Sequence, residues 1–232
     1  MKNNKNDNKT FYSLKFIIIG NQSVGKTNII NRFVKGVFIN KYMITIGLDY
    51  STQNIKIDNT IFKLQLWDTA GSERFRSVTK GYFSNSVCAL IVYDITDEKS
   101  FSSIKNWIEE CKSYTNENIL LVLIGNKNDL KEQRVITKEQ GQSLAEEYGM
   151  QFYESSALTG ENINEIFYES CKIINKNINN KIYDLNDPSN GIKADILKNE
   201  DEMTIDKSIS ANSNTKILDN NKLSNKKSNC KC

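Results

Sequence analysis

A glycine-rich loop carrying a lysine and a threonine is the first stretch of this chain that could do chemistry. Gly20, Gly25, Lys26 and Thr27 stand in the pattern G-x-x-x-x-G-K-[ST], after the apolar run Phe16–Ile19. Glycine lets the backbone turn sharply and approach a ligand closely, and N–H groups at a helix N-terminus favour anions. The lysine can lie between β- and γ-phosphates, and the threonine hydroxyl can bind Mg²⁺. The pattern predicts a phosphate site lined by Gly20, Gln22, Ser23, Val24, Gly25, Lys26 and Thr27.

A carboxylate followed by a glycine forms the second candidate group. Asp68 and Gly71 stand in a D-x-x-G pattern directly after a predicted strand that ends at Trp67. A carboxylate in this position can hold Mg²⁺, through water, and the glycine N–H can reach a γ-phosphate. Taken alone, the pattern is more typical of an ordinary turn. Thr45 could supply a second hydroxyl, so the predicted metal ligands are Thr27, Thr45 and Asp68.

A third group of polar residues is suited to reading a purine base. Asn126, Lys127 and Asp129 form an N-K-x-D pattern after a run of leucine, valine and isoleucine. A carboxylate in the base plane accepts from both N1–H and the 2-amino group of guanine, whereas adenine offers neither donor. Such a site can reject the wrong base by ~10⁴–10⁵. After the last predicted strand, a backbone N–H near Ser156 and Ala157 could read guanine O6.

The elements that must position these groups alternate between strands and helices. Helical patterns cover about Ser100–Tyr114 and begin at Thr137, with a capping box, and at about Asn162. This alternation predicts a doubly wound α/β fold, a six-stranded mostly parallel sheet with helices on both faces and one antiparallel pair at an edge. The predicted strands are Leu14–Ile19, Tyr50–Ile57, Ile61–Trp67, Ala89–Tyr93, Ile119–Ile124 and Gln151–Tyr153.

Composition limits the possible functions. The net charge of +3, with 25% charged residues, is too balanced to favour nucleic acid as a partner. The chain has no histidine, which excludes imidazole metal sites and histidine general bases. No apolar run reaches ~18 residues, so no transmembrane helix is expected. Three of the cysteines lie in apolar periodic segments, and their spacing fits a reducing compartment.

Both ends of the chain differ in composition from its centre. We expect a disordered leader over residues 1–12, a nucleotide-binding domain over 13–178 and a flexible tail over 179–232. The leader has no apolar segment typical of a secretory signal, and Lys2 argues against N-myristoylation. After Tyr183 the chain is rich in Asn, Ser and Lys and has no aromatic residue, so we predict disorder there.

Four motifs in this order, each after a predicted strand, resemble the Ras-like small GTPases over about Leu14–Asn177. The chain is similar to the Rab family in particular, on the stretches Thr45–Tyr50, Lys63–Gly71, Glu73–Phe75 and Val92–Thr96. The fold implied is that of a P-loop NTPase. Gln22 and the stretch Leu64–Trp67 lean toward the Golgi-associated branch of the family.

The resemblance implies a Mg²⁺-dependent GTP/GDP switch in vesicle traffic. Phe38 would stack on the guanine, Leu158 would replace a lysine stem that often covers the base, and Gly71 would contact the γ-phosphate. Residues 38–49 and 71–82 would be the two switches, ordered by GTP and Mg²⁺. Ile46, Trp67 and Phe75 are either core residues or an aromatic surface that effectors recognise. The catalytic residues implied are Lys26, Gly71 and Ser72.

One departure from the family falls at the catalytic position. The family's usual glutamine after Asp-Thr-Ala-Gly is Ser72 here, and a serine side chain is too short to orient the attacking water. We predict slow intrinsic hydrolysis, although an activating protein could supply a glutamine and an arginine in trans. The alternative is a GTP-loaded, membrane-tethered interaction scaffold. An ATP-using kinase is disfavoured by the N-K-x-D pattern. Tyr50 replaces the usual phenylalanine, which adds a hydroxyl that needs a partner or water.

The C-terminus resembles the Rab C-x-C end, in which Cys230 and Cys232 would each carry a geranylgeranyl group. Two lipid chains give stable anchoring where one gives marginal binding. Lysines near the end would add attraction to an anionic leaflet: Lys222, Lys226, Lys227 and Lys231. A redox or metal pair is the other interpretation of the two cysteines.

The resemblance also implies a set of partners and a location. The partners expected are effectors, an exchange factor, a GTPase-activating protein, a GDP-dissociation inhibitor, and an escort protein with its prenyl transferase. The protein would act on the cytoplasmic face of an endomembrane, Golgi or endosomal, and cycle with the cytosol.

Overall fold

The strands of the protein form one seven-stranded sheet in the computed structural model, which describes residues 10–40, 48–69 and 81–196. The strands are β1 (Thr10–Ile19), β2 (Leu48–Ile57), β3 (Thr60–Thr69), β4 (Cys88–Asp94), β5 (Leu120–Asn126), β6 (Gln151–Glu154) and β7 (Ile192–Ile196). The helices are α1 (Lys26–Lys35), α2 (Glu98–Ser102), α3 (Ile104–Tyr114), α4 (Lys138–Tyr148) and α5 (Ile163–Asn179). In the described residues, no helix is long and apolar enough to cross a bilayer.

The sheet order confirms the predicted fold class. The strands run β2-β3-β1-β4-β5-β6, and every pair in this path is parallel except the β2–β3 hairpin. All seven residues of β4 are buried, as expected for a central strand that is covered on both faces. Because the chain enters each parallel strand from the same side, the loops after β1, β3, β4, β5 and β6 lie along one edge of the sheet.

Alternate residues of the strands pack into two cores. On β1, Phe16 and Ile18 join one cluster with side chains of α1 and α5, whereas Ile17 and Ile19 join another with side chains of α3 and α4. This two-residue period places helices on both faces of the sheet, as predicted. The capping box at Thr137 is present, and Ser103 divides the predicted single helix into α2 and α3.

The prediction of disorder after Tyr183 was wrong for the residues up to Ile196. Tyr183 is buried and donates its hydroxyl to the Asn118 carbonyl at 3.2 Å, and Ile192 is buried in the core. Strand β7 then pairs antiparallel with the first half of β1, Thr10 opposite Ile196. The pairing is possible because β4 covers only the second half of β1. The polar composition of the tail concealed this short apolar-polar alternation.

The same pairing places residues 10–12, which we assigned to a disordered leader, inside β1. The predicted leader before Thr10 and the tail after Ile196 lie outside the described residues. The boundaries of the nucleotide-binding domain therefore stay predictions, although ordered structure extends beyond them at both ends.

Replacing Ile192 with alanine tests whether β7 is part of the folded core. Removing this buried side chain should cost about 2–4 kcal/mol. For a domain of this size, that loss corresponds to a fall in melting temperature of roughly 5–15 °C. Lys193→Ala, at the exposed neighbouring position, should change the melting temperature little. Equal melting temperatures for the two variants in a thermal unfolding series would contradict the packing of β7.

Candidate nucleotide-binding site

The loop between β1 and α1 depends on two glycines whose place no other residue can take. Gly20 and Gly25 have φ angles of +137° and +99°, a backbone conformation that residues with a Cβ rarely adopt. A Cβ at Gly20 would lie 2.2 Å from the carbonyl oxygen of Val92, and one at Gly25 would lie 2.3 Å from Nδ2 of Asn126. The loop is therefore pressed against β4 and β5, and its backbone faces the edge where the other motifs lie.

Lys26 lies buried at the start of α1. Its ammonium donates to the carbonyl oxygens of Gly20 at 2.9 Å and Asn21 at 2.8 Å, so the loop curls around the charge. Burial lowers the pKa of Lys26 to about 8, although the Asp68 carboxylate acts in the opposite direction. A desolvated ammonium enclosed by a loop is well suited to bind phosphate oxygens, because an anionic ligand would favour its charged form.

The structure brings together two of the three predicted metal ligands. Thr27 Oγ1 donates to Asp68 Oδ2 at 2.5 Å, across the gap between α1 and the end of β3. Asp68 is only 2% exposed. A hydroxyl and a carboxylate side by side match the oxygen ligands that Mg²⁺ prefers, so the residues present fit this ion. Thr45, the third predicted ligand, lies outside the described residues.

Asn126 connects the phosphate loop to the loop after β6. Its Nδ2 donates to the Val24 carbonyl at 2.8 Å, and its Oδ1 accepts from the backbone N–H of Ala157 at 3.2 Å. The side chain is almost fully buried. One amide therefore fixes the predicted phosphate and base sites at a constant separation.

The carboxylate predicted to read the base is held by the predicted partner loop. The Ser156 hydroxyl donates to Asp129 Oδ1 and accepts from the backbone N–H of Thr159. The side chain of Ser156 is fully buried, which limits the positions that the Asp129 carboxylate can take. Asp129 and Ser156 are thus in direct contact, as a common base site requires.

Lys127 has a partner that the sequence did not reveal. Its ammonium lies 2.6 Å from Oδ2 of Asp94 at the end of β4, and its backbone adopts a φ of +68°. Asp94 belongs to a stretch that we used only as a family signature. The ion pair holds the ammonium of Lys127 at the end of β4.

A second feature that the sequence analysis missed is a group of contacts made by Arg134 behind the N-K-x-D segment. Arg134 contacts both carboxylate oxygens of Glu154, at 2.5 and 3.1 Å, and donates to Asn128 Oδ1 at 2.9 Å. Two parallel hydrogen bonds between one guanidinium and one carboxylate add geometric specificity as well as energy. The arrangement joins the N-K-x-D segment to the end of β6. A sequence offers no signal for it, because the partners belong to different motifs.

The remaining predicted residues divide into two groups. Phe38 is half-buried and packs against the first core cluster, and Leu158 is 49% exposed. Their predicted contacts with a guanine stay predictions. Outside the described residues lie Thr45, Gly71, Ser72, Cys230 and Cys232.

Three aromatic side chains form a strip across β3. Trp67 lies edge-on to Tyr50, with 5.6 Å between ring centroids, and 6.2 Å from Tyr82. The Lys15 ammonium sits 4.4 Å from the Trp67 ring, and burial lowers the pKa of Lys15 to about 8. Tyr50 is 48% exposed and Trp67 is half-buried, so Trp67 is neither a pure core residue nor fully on the surface. Phe75 and Ile46 lie outside the described residues.

Comparisons with known proteins identify relatives over about two thirds of the chain. The chain matches the model of the Ras family over residues 15–176. It is 42% identical over 156 residues to the Ras-related protein RAB1BV of Beta vulgaris, covering 67% of this chain and 73% of that protein. It is 44% identical over 154 residues to the Ras-related protein Rab-11C of Dictyostelium discoideum, covering 66% and 69% respectively.

Replacing Asp129 with asparagine tests the base-reading role. The change substitutes a donor amide for one of the acceptor oxygens, which matches the C2 carbonyl of xanthine instead of the 2-amino group of guanine. We expect affinity for GTP to fall by about 100-fold or more, and affinity for xanthosine triphosphate to rise. Titration with fluorescent derivatives of both nucleotides measures the change. Glu132→Gln removes a nearby exposed carboxylate and should leave both affinities unchanged. An unaltered preference in Asp129→Asn would show that this carboxylate does not read the base.

Proposed function

Because this chain belongs to the Rab branch of the Ras family, whose members bind GTP and hydrolyse it to GDP, we propose a membrane-traffic switch with slow intrinsic hydrolysis. The observation that carries the proposal is the contact between motifs at one sheet edge. Thr27 meets Asp68, Asn126 joins Val24 to Ala157, and Ser156 holds Asp129. The side chains proposed to bind phosphate, metal and base are thus connected along this edge of the sheet, which supports the proposal of a single site.

The binding chemistry follows from these contacts. The Lys26 ammonium and the N–H groups at the start of α1 would neutralise the β- and γ-phosphates. Thr27 and Asp68 would hold Mg²⁺, whose charge would offset that of the phosphates. The Asp129 carboxylate, already oriented by Ser156, would accept from the guanine N1–H and 2-amino groups. Selectivity for guanine follows because adenine would leave this partly buried acceptor without a donor.

Hydrolysis is the step at which this chain departs from its family. Water attack on the γ-phosphate is aided by a side chain that orients the water, usually a glutamine. Ser72 occupies this position and has a shorter side chain with one hydroxyl. We propose that the protein stays long in the GTP state and depends on an activating protein to leave it. In the second candidate function, also favoured by Ser72, hydrolysis is negligible and the GTP form is a scaffold.

The aromatic strip is our candidate for the effector surface. In the sequence, Tyr50 and Trp67 lie between the two segments that would respond to the γ-phosphate, and Tyr82, which contacts Trp67, ends the second segment. Trp67 is half-buried and therefore offers an apolar surface with a fixed orientation. An exchange factor, a GTPase-activating protein, a GDP-dissociation inhibitor, and an escort protein with its prenyl transferase would be the other partners.

We assign the tail a role in membrane attachment. Geranylgeranylated Cys230 and Cys232, with the lysines before them, would anchor the protein to the cytoplasmic face of an endomembrane. Golgi and endosomal membranes both fit, and removal of the lipidated form by the GDP-dissociation inhibitor would return the protein to the cytosol.

Single-turnover hydrolysis tests the proposed role of Ser72. With Mg²⁺ and no activating protein, Ser72→Gln should hydrolyse bound GTP at least tenfold faster than the wild type, because glutamine both donates to and accepts from the attacking water. Quenched samples of preloaded protein, resolved by chromatography, give both rates. Ser77→Gln, a change of another serine in the same segment, should leave the rate unchanged.

The result separates the two candidate functions. A slow but measurable wild-type rate that glutamine increases supports a partner-dependent switch. A wild-type rate too low to measure supports the scaffold. Equal rates in wild type and Ser72→Gln would overturn the slow-hydrolysis proposal and leave an ordinary timed cycle.

A further inference from the structure

Arg32 joins three parts of the candidate site although it belongs to none of its motifs. It lies on the second turn of α1 and donates only to backbone carbonyls in the described structure. Nε contacts the oxygen of Ala157 at 2.8 Å, Nη2 that of Leu158 at 2.5 Å, and Nη1 that of Gly36 at 2.8 Å. Charge-assisted hydrogen bonds of this kind are roughly twice as strong as neutral ones.

The three carbonyls belong to two segments that we propose to form the walls of the base site. Ala157 and Leu158 belong to the loop that holds Asp129 through Ser156, and Gly36 ends α1 just before Phe38. Arg32 therefore connects the helix that carries Lys26 to both walls at once. Its stem also packs beside Gly160, since a Cβ there would lie 3.6 Å from Arg32 Cδ.

The loop after β6 has two separate attachments to the phosphate side of the site. Asn126 accepts a hydrogen bond from the N–H of Ala157, and Arg32 donates to the carbonyl oxygens of Ala157 and Leu158. The planar guanidinium can serve three acceptors in fixed directions, which a lysine cannot do. Local opening of this loop would break these hydrogen bonds, so each attachment raises the free-energy cost of opening.

We propose that Arg32 is a positioning residue that keeps the base loop closed and thereby slows the release of guanine nucleotides. The inference rests on the proposed function, because it assumes that GDP and GTP occupy this site. Without Arg32, the segment that includes Ala157 and Leu158 loses its link to α1. Ser156 then holds the Asp129 carboxylate less firmly, which weakens contacts with the base more than contacts with the phosphates.

The dissociation rate of fluorescent GDP, chased with excess GTP in the presence of Mg²⁺, tests this role. Arg32→Met keeps an unbranched stem but removes the donors, and we expect GDP to dissociate about tenfold faster, corresponding to ~1.4 kcal/mol. Arg32→Lys, which keeps the charge but not the fork, should fall between wild type and Arg32→Met. Lys35→Met, which removes an exposed cation from the same helix, should match wild type.

A second nucleotide separates positioning from general destabilisation. Inosine diphosphate lacks the 2-amino group that Asp129 would accept from, so it should leave wild-type protein faster than GDP. In Arg32→Met, the ratio of the inosine diphosphate dissociation rate to the GDP dissociation rate should shrink at least threefold. The reason is that the contact between Asp129 and the base is already weakened in this variant. A change that merely loosens the fold would accelerate both nucleotides equally.

The possible outcomes distinguish this inference from the proposed function. The role of Arg32 would be overturned if both Arg32 variants released GDP at the wild-type rate, or if release of GDP and of inosine diphosphate were accelerated equally. Either result would leave the proposed switch intact. Failure of the wild type to retain either nucleotide would instead overturn the proposed function, and the role of Arg32 with it. If Arg32→Met does not fold, Arg32→Lys provides the same comparison of GDP with inosine diphosphate.

Discussion

The rest of the site depends on the hydrogen bonds that the Asn126 side chain makes to two separate loops. The amide donates to the phosphate loop at Val24 and accepts from the base loop at Ala157, so one planar group sets the distance between two ligand-binding regions. Gly25 has to be glycine partly for this reason, since a Cβ would lie 2.3 Å from the amide nitrogen. Neither a carboxylate nor a lysine can replace asparagine, because the position needs a donor and an acceptor.

Much of this arrangement could be predicted from the sequence, since each motif carries its own chemistry and follows a recognisable strand. Thr27 and Asp68 were assigned to one ion from their places in two motifs that follow predicted strands, and they are in contact. Arg32 could not be found in this way, because its acceptors are backbone carbonyls, two of them more than a hundred residues away, and backbone atoms leave no mark in a sequence. Strand β7 was missed because a short alternation was averaged with a long polar segment.

Under the proposed function, one part of the site makes the same contacts with GDP and GTP, and another part responds to the γ-phosphate. GDP and GTP share the guanine, so contacts with the base should not change during the cycle. Here the base side is held by side chains from several elements, through Asn126, Ser156, Arg32 and the Arg134–Glu154 pair. The groups proposed to respond to the γ-phosphate, Thr45, Gly71 and Ser72, belong to other segments. Affinity and timing can therefore vary separately.

The pairing of β7 with β1 has a mechanical consequence. Ile196 lies opposite Thr10, at the end of β1 that is farthest from the phosphate loop, roughly 30 Å away along a ten-residue strand. Tension on the chain beyond Ile196 reaches this terminal pair first, so the ladder would unzip one residue pair at a time toward Ile192. The five-residue strand would therefore yield before the load reaches the buried Tyr183 or α5. If the protein is pulled by its tail, β7 would therefore detach from β1 first, and the nucleotide pocket would stay folded.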